Sequence, residues 1–520
     1  MNAKSGEDAS RREPKRSPSD ALSSGETVRN LKARAISGFG VTLGTQGAKL
    51  IVQLCYTAVM SRLLTSADFG LIAMVTSMMA LLTVIRDGGL TTATIQRPAI
   101  SHDEVTRMFW VNVALGMLLA LVGAGLAPVL AWFYGEPELL HIVLLFSVTF
   151  ALSGLMVQQE AIVRRNMRFN ALAAIELVTL AVGSISGIAS AWAGLGYWAL
   201  VIGVVAGNAV NAVFLWVLCE WRPGRPAWPR GLRSTLSFGG HVMAYNLVSA
   251  LGMNLDKVLL GRLHGSVDLG FYSRAQVLMV QPCMQMLAPL GAVAIPTLSR
   301  LHAEPDKFRE AILRLLLVVG FASSLGAAFT FAGADWIVRI LLGEGWSETA
   351  AIVRAFSMTL FSMPISVVAT WALTTAGLGK ELSLWGMVNN AILVAAIACG
   401  LPWGGLGVAL AFSVSGILLR VPLLYCFVAQ KTGIELGRIV RVVGPAFIAF
   451  ALVGSCLYAL FRLLEDYAAI LGVLILMIGT LVAAVLAVTV SAWGKDAWGT
   501  VVGLAGWPPV RLRWPRRHPR

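Results

Sequence analysis

A chain of 520 residues of which 57% are hydrophobic and 13% charged, with a mean hydropathy of +0.75, cannot face water on all sides. That balance excludes a soluble enzyme or binding module and leaves a membrane protein. The net charge of +14 does not require a nucleic-acid partner, because 31 of the 41 Lys and Arg fall in alternate loops and the two tails, as the positive-inside rule dictates.

In chain order, residues 1–35 are polar and rich in Ser and Arg, and a disordered cytoplasmic tail is expected there. Crossing ~30 Å of hydrocarbon takes about 20 helical residues. Apolar runs of that order cover residues 36–61, 69–85, 109–133, 139–158, 171–192, 197–218, 236–260, 271–298, 312–332, 350–373, 382–401, 406–427, 442–461 and 468–491. The first is too long for the apolar core of a signal peptide and reads as a retained span. The expected fold is an all-α polytopic membrane protein of about 14 transmembrane helices, with both termini in the cytoplasm. Its expected parts are an N-lobe of six spans over 36–220, a cytoplasmic linker over 221–235 and a C-lobe of six spans over 236–430. An accessory pair of spans over 431–492 and a basic cytoplasmic tail over 493–520 complete the chain.

The two-lobe division comes from a repeat. Residues 62–70 and 262–270 both read Arg-Leu-x-x-Ser-x-Asp-x-Gly at an offset of 200. Phe39-Gly40 against Phe238-Gly239, and Gly194-Leu195-Gly196 against Gly405-Leu406-Gly407, extend the correspondence in both directions. Six spans per copy is an even number, so the copies enter the membrane in the same direction, as two parallel six-helix repeats with a pathway expected at their interface. Arg at one helix end and Ser or Asp at the next helix start suit the helix dipoles. Arg62, Asp68, Arg262 and Asp268 therefore read either as interhelical caps or as parts of a gate at the outer mouth.

Buried polarity concentrates in the first two spans of each copy. Thr42, Thr45, Gln46, Lys49, Gln53 and Tyr56 share one face of the first span, with Lys49 near mid-bilayer; the second brings Arg86 and Asp87. In the second copy His241, Tyr245, Ser249 and Asp256 form a stripe with Lys257 beside it, and Arg274, Gln281 and Gln285 follow on the next span. An ionisable group at mid-span costs about 3 kcal/mol and normally faces a bundle interior or a watery cavity. Lys49, Gln53, Arg86, Asp87, His241, Asp256, Lys257, Arg274 and Gln281 are thus the candidate cavity lining, with Arg86 open to a second reading as a helix clamp. Lys257, Arg274 and Arg354 are also placed to snorkel to the interface. Glu160 and Glu176 are expected to pair with Arg164, Arg165 or Arg168. Pro282, Pro289 and Pro296 predict a bend in the eighth span. Trp132, Trp192, Trp198, Trp336 and Trp403, and Trp216, Trp221 and Trp228 at the other face, read as interfacial anchors. The six cysteines show no paired spacing, and no catalytic set, metal site or cofactor is expected.

Three segments resemble the bacterial polysaccharide transporters, the Wzx-type lipid-linked oligosaccharide flippases of the multidrug/oligosaccharidyl-lipid/polysaccharide exporter superfamily. They are residues 61–71, the run Gln158-Gln159-Glu160-Ala161-Ile162-Val163-Arg164-Arg165-Asn166-Met167-Arg168-Phe169, and residues 256–263 continuing into Gly270-Phe271-Tyr272-Ser273-Arg274-Ala275. The resemblance covers roughly residues 35–430. It implies movement of an undecaprenyl-pyrophosphate-linked repeat unit across the bacterial inner membrane by alternating access, for exopolysaccharide, capsule or O-antigen synthesis, with spans one, two, seven and eight lining the cavity. A polysaccharide polymerase and export machinery are the implied protein partners. Export of drugs or of the peptidoglycan precursor, as in other branches, remains open. A membrane-embedded polymerase is disfavoured, since His241 stands alone in its span and the longest outer segment offers only Asp335, Glu344 and Glu348.

Overall fold

The computed structural model describes residues 28–86, 101–166, 168–226, 232–463, 469–490 and 492–504, and among these it is helical apart from turns. Helix α1 (Val28–Leu63) turns at Leu64 and Thr65 into α2 (Ser66–Arg86). Asp68 fixes that turn, since its carboxylate accepts the Thr65 amide at 2.9 Å and hydroxyl at 2.7 Å. Helix α3 (His102–Tyr134) opens on a reciprocal Ser101–Glu104 capping box and stops at Gly135, whose φ of 75° suits a residue without Cβ. Next come α4 (Leu139–Arg165), α5 (Phe169–Trp192) and α6 (Trp198–Leu218). The 70-residue helix Leu232–Leu301 breaks at Gly265 (φ 81°, ψ −174°) into α7 (232–264) and α8 (266–301). Helices α9 (Pro305–Leu341), α10 (Ser347–Thr375) and α11 (Gly379–Gly400) follow. Helix α12 (404–432) contains a π turn at Gly416–Arg420. Helices α13 (Leu436–Leu463), α14 (Ala469–Val490) and α15 (Ala492–Leu504) close the chain.

A helix lies over each apolar run read from the sequence. Eleven stretches among the described residues are long and apolar enough to cross a membrane; 379–432 holds two runs, and 250–301 holds one together with the end of the run before it. Helix α1 begins at Val28, ahead of residue 36; the rest of the expected tail, residues 1–27, lies outside the described set. Pro282, Pro289 and Pro296 all lie within α8, and the residue of Leu232–Leu301 with non-helical φ and ψ is Gly265.

Lipid gives no hydrophobic drive between helices, so small residues set the close crossings. A Cβ at Gly116 of α3 would lie 2.7 Å from the Phe150 carbonyl of α4, and one at Gly183 of α5 would lie 2.9 Å from the Gly203 carbonyl of α6. The buried cores then show how the lobes meet. One core joins both at the end where residues 61–71 and 261–271 lie, drawing Met60, Phe69, Met74 and Phe146 together with Leu260, Leu269, Tyr272 and Phe356. Toward the other end, the basic end, the lobes keep separate cores: Phe109, Ile162, Ile175 and Trp221 in one, Phe308, Ile312, Ile365 and Tyr425 in the other.

Two tryptophans expected as interfacial anchors are core residues instead. Trp336 is 3% exposed, packed on Phe461 and Leu476 where α13 and α14 cover α9. Trp221 is 1% exposed because it pins the interlobe linker to the N-lobe, donating from Nε1 to His102 Nδ1 at 3.1 Å. Trp110 and Thr106 hold Gly224 of the same linker by its carbonyl and amide. Trp132, Trp192 and Trp403 are exposed, as anchors should be, and Trp228 lies outside the described residues.

Candidate functional site: the interlobe seam

The two copies of the nine-residue motif meet face to face. Gly70 of α2 sits on the Ser266 carbonyl of α8, and Gly270 of α8 on the Ser66 carbonyl of α2, so closely that a Cβ on either glycine would overlap the opposing oxygen. The same Cβ atoms would lie 2.9 Å and 3.1 Å from the opposing serine Cα atoms. Both arginines also cross between lobes. Arg62 donates from Nη2 to the Ile340 carbonyl at 2.7 Å, at the end of α9 where helix carbonyls are unsatisfied. Arg262 lies 5.8 Å over the ring of Phe133 near the end of α3. Ser266 donates to Glu136 at 2.9 Å, and Trp346 donates from Nε1 to the Ser61 carbonyl at 2.9 Å. A cavity of about 690 Å³ beside this contact is lined by Arg62, Ser66, Arg339, Glu344 and Trp346.

The aspartates behave differently from the arginines. Asp68 caps its own turn, whereas Asp268 accepts the Gly405 amide at 2.8 Å at the start of α12, with His264 Nδ1 at 4.0 Å. Capping thus describes the aspartates, and lobe-to-lobe contact describes the arginines, serines and glycines.

Further along the seam, Arg274 packs 4.2 Å over the ring of Phe69 in the opposite lobe, and its Nε has no hydrogen-bond partner. Snorkelling does not describe it, because an aromatic face in the interface already accommodates the guanidinium. Gln53 of α1 joins two glutamines of α8, accepting from Gln285 at 3.2 Å and donating to Gln281 at 2.6 Å. Lys49 lies 14 residues from the end of α1, about 21 Å along the helix, and is ion-paired with Glu176 of α5. The pair stands in the wall of a cavity of about 350 Å³ together with Gln53, Thr179, Leu180 and Gln285. Glu176 therefore does not join the arginines of the 164–168 run, because Lys49 faces it across the α1–α5 contact; Glu160 does, at 2.8 Å from Arg164.

The structure gathers Lys49, Gln53 and Gln281 into one stretch of seam, with Arg274 further along it, and places Arg86 and Asp256 elsewhere. Arg86 is the last residue of α2 and donates to Ser153 of α4 at 3.2 Å, inside the N-lobe. Asp256 is 3% exposed and accepts from Tyr272 at 2.6 Å, tying α7 to α8, with half-buried Lys257 next in sequence. His241 lies in α7, its side chain outside the described set, and Asp87 is outside the described residues altogether. Of the three acids of the longest outer segment, Asp335 pairs with Arg354 and Glu344 with Arg339.

Sequence reasoning overlooked two participants, Trp346 and Glu136, and gave Glu176 other partners. A signal for the second was present, since Gly135-Glu136 and Gly343-Glu344 repeat at an offset of 208 and both glycines have positive φ.

Two helical lobes joined at one end around a polar seam define an all-α polytopic membrane protein. A solved structure described as "Lipid II flippase MurJ, inward closed conformation" superposes with a TM-score of 0.68 over 87% of this chain and 99% of that one, at 13% identity. The family described as "Polysaccharide biosynthesis protein" matches residues 59–351, more than half of the chain, and the chain belongs to that family. Among curated relatives, the lipopolysaccharide biosynthesis protein WzxC of Escherichia coli is 24% identical over 57% of this chain. That match spans 61% of WzxC. The amylovoran biosynthesis protein AmsL of Erwinia amylovora is 26% identical over 63% of this chain and 85% of its own.

Proposed function

We propose that the protein is a flippase that carries an undecaprenyl-pyrophosphate-linked oligosaccharide repeat unit across the bacterial inner membrane, by alternating access between an N-lobe (36–220) and a C-lobe (236–430). The observation that carries this reading is the division of the cores: one shared core at the motif end, two separate ones at the basic end, and a polar seam between them. With both termini and the basic loops in the cytoplasm, the closed end faces outward and the seam opens inward. An oligosaccharide needs hydroxyl-matching amides, which Gln53, Gln281 and Gln285 offer, and a diphosphate needs a cation, which Lys49 offers. The lipid tail remains in the bilayer at the lobe boundary, and the relatives' polymer names favour a sugar head group over a drug. A polymerase on the outer face is the expected next protein to take the product.

The test is deletion. Loss of the gene should leave complete lipid-linked repeat units on the inner leaflet with surface polymer absent. Unextended or chemically altered repeat units would instead show that the protein acts on the sugars.

A further inference from the structure

A carrier that alternates between two open states makes one stroke empty, and during that stroke each seam charge still needs a partner in the low-dielectric layer. Lys49 has Glu176. A pair serving only to clamp helices would be shut away with its neighbours satisfied, but here the side chains remain 23% and 39% exposed on a cavity of about 350 Å³. Two further lining atoms, Thr179 Oγ1 and Gln285 Oε1, are buried without a hydrogen-bond partner, which leaves a hydroxyl donor and an amide acceptor unspent beside the pair.

We propose that Glu176 stands in for the substrate's anion: it neutralises Lys49 while the carrier is empty, and a diphosphate entering the cavity displaces it, with the Thr179 hydroxyl donating to a phosphate oxygen and Gln285 Oε1 accepting from a sugar hydroxyl. This rests on reading the substrate as a lipid-linked diphosphate. Glu176 is then a specificity and positioning residue. Breaking the resident pair weakens binding enough for release.

The test uses the full-length purified chain with farnesyl diphosphate as probe and inorganic pyrophosphate in a parallel arm. Glu176→Gln should tighten both about tenfold, or about 1.4 kcal/mol. Lys49→Gln should weaken both, and the Lys49→Gln/Glu176→Gln double variant should bind no more tightly than Lys49→Gln. If Glu176→Gln does not accumulate, Glu176→Asp, which draws the carboxylate back by one methylene, carries the same expectation. Unchanged or weaker binding by a monodisperse Glu176 variant overturns the proposal, and so does a gain confined to the farnesyl arm, which would lie with the tail. A parent chain that binds neither probe overturns the lipid-diphosphate reading itself, and this inference with it.

Discussion

Replacing Gly70 by alanine places a methyl group inside the van der Waals surface of the Ser266 carbonyl and 2.9 Å from its Cα. Backbone atoms on a helix cannot swing aside as a side-chain tip can, so α2 and α8 must part by well over an ångström. Overpacking of this kind costs roughly 1–3 kcal/mol, borne only by the state in which the motif copies touch. The equilibrium should therefore shift toward separation at the motif end by roughly 5- to 150-fold. Ser273, buried on α8 one turn past the contact, is a suitable reporter as Ser273→Cys in a chain stripped of its six native cysteines. Its labelling by a membrane-impermeant maleimide, applied from outside, should accelerate by that factor in Gly70→Ala and in Gly270→Ala. Parting the helices relieves both overlaps at once, so the double variant should cost less than the sum of the singles. Gly125→Ala is the control, because a Cβ there meets nothing within 4 Å. Parental labelling rates in both single variants, at parental protein levels, would refute the claim that this contact closes the outer end.

Lys49→Gln should insert normally yet lose most transport, read as surface polymer per unit of inserted protein; an unchanged ratio would remove Lys49 from the substrate path. Arg86→Gln, bonded within the N-lobe to Ser153, should instead lower protein yield with little change in that ratio. Reporter fusions after Arg165 should give a cytoplasmic signal and those after Gly135 an external one, and reversed signals would invert the proposed orientation. Asp268→Asn should lower the heat-aggregation midpoint of purified protein more than Asp68→Asn, since charge-assisted bonds between helices contribute about 1.5–3 kcal/mol and a local cap about 1.

Much of the architecture was legible because membrane insertion imposes a crude rule: about 20 apolar residues per crossing, with basic residues sorted by side. The duplication was legible because both copies kept the same nine-residue pattern. The site was only partly so. Periodicity put Lys49 and Gln53 on one face of α1, but no periodicity says which helix faces that stripe, and Glu176 is 127 residues away. Nearness in sequence suggested the arginines of the 164–168 run as its partners, yet the α1–α5 packing places an ammonium closer. Asp256 misled for the opposite reason. A carboxylate on a polar stripe looks like cavity lining, but Gly265 folds α8 back along α7, and Tyr272 then takes that carboxylate out of the seam.

The divergence of the two aspartates follows from a single position. In the first copy the residue three before the aspartate is Thr65, whose amide and hydroxyl both saturate Asp68, so the α1–α2 turn is self-contained. In the second copy that position is Gly265, which has no hydroxyl to offer and whose φ of 81° makes the break between α7 and α8 at a single residue. Asp268, freed of a local partner, reaches the Gly405 amide and binds the motif to the start of α12. Through its aspartate the N-lobe copy is therefore tied to its own turn, and the C-lobe copy to a second helix of its lobe. When the lobes separate at this end, α8 must carry α12 with it, while α2 can move with respect to α6 without breaking a hydrogen bond of its own aspartate. A near-symmetric sequence thus gives an asymmetric mechanical linkage.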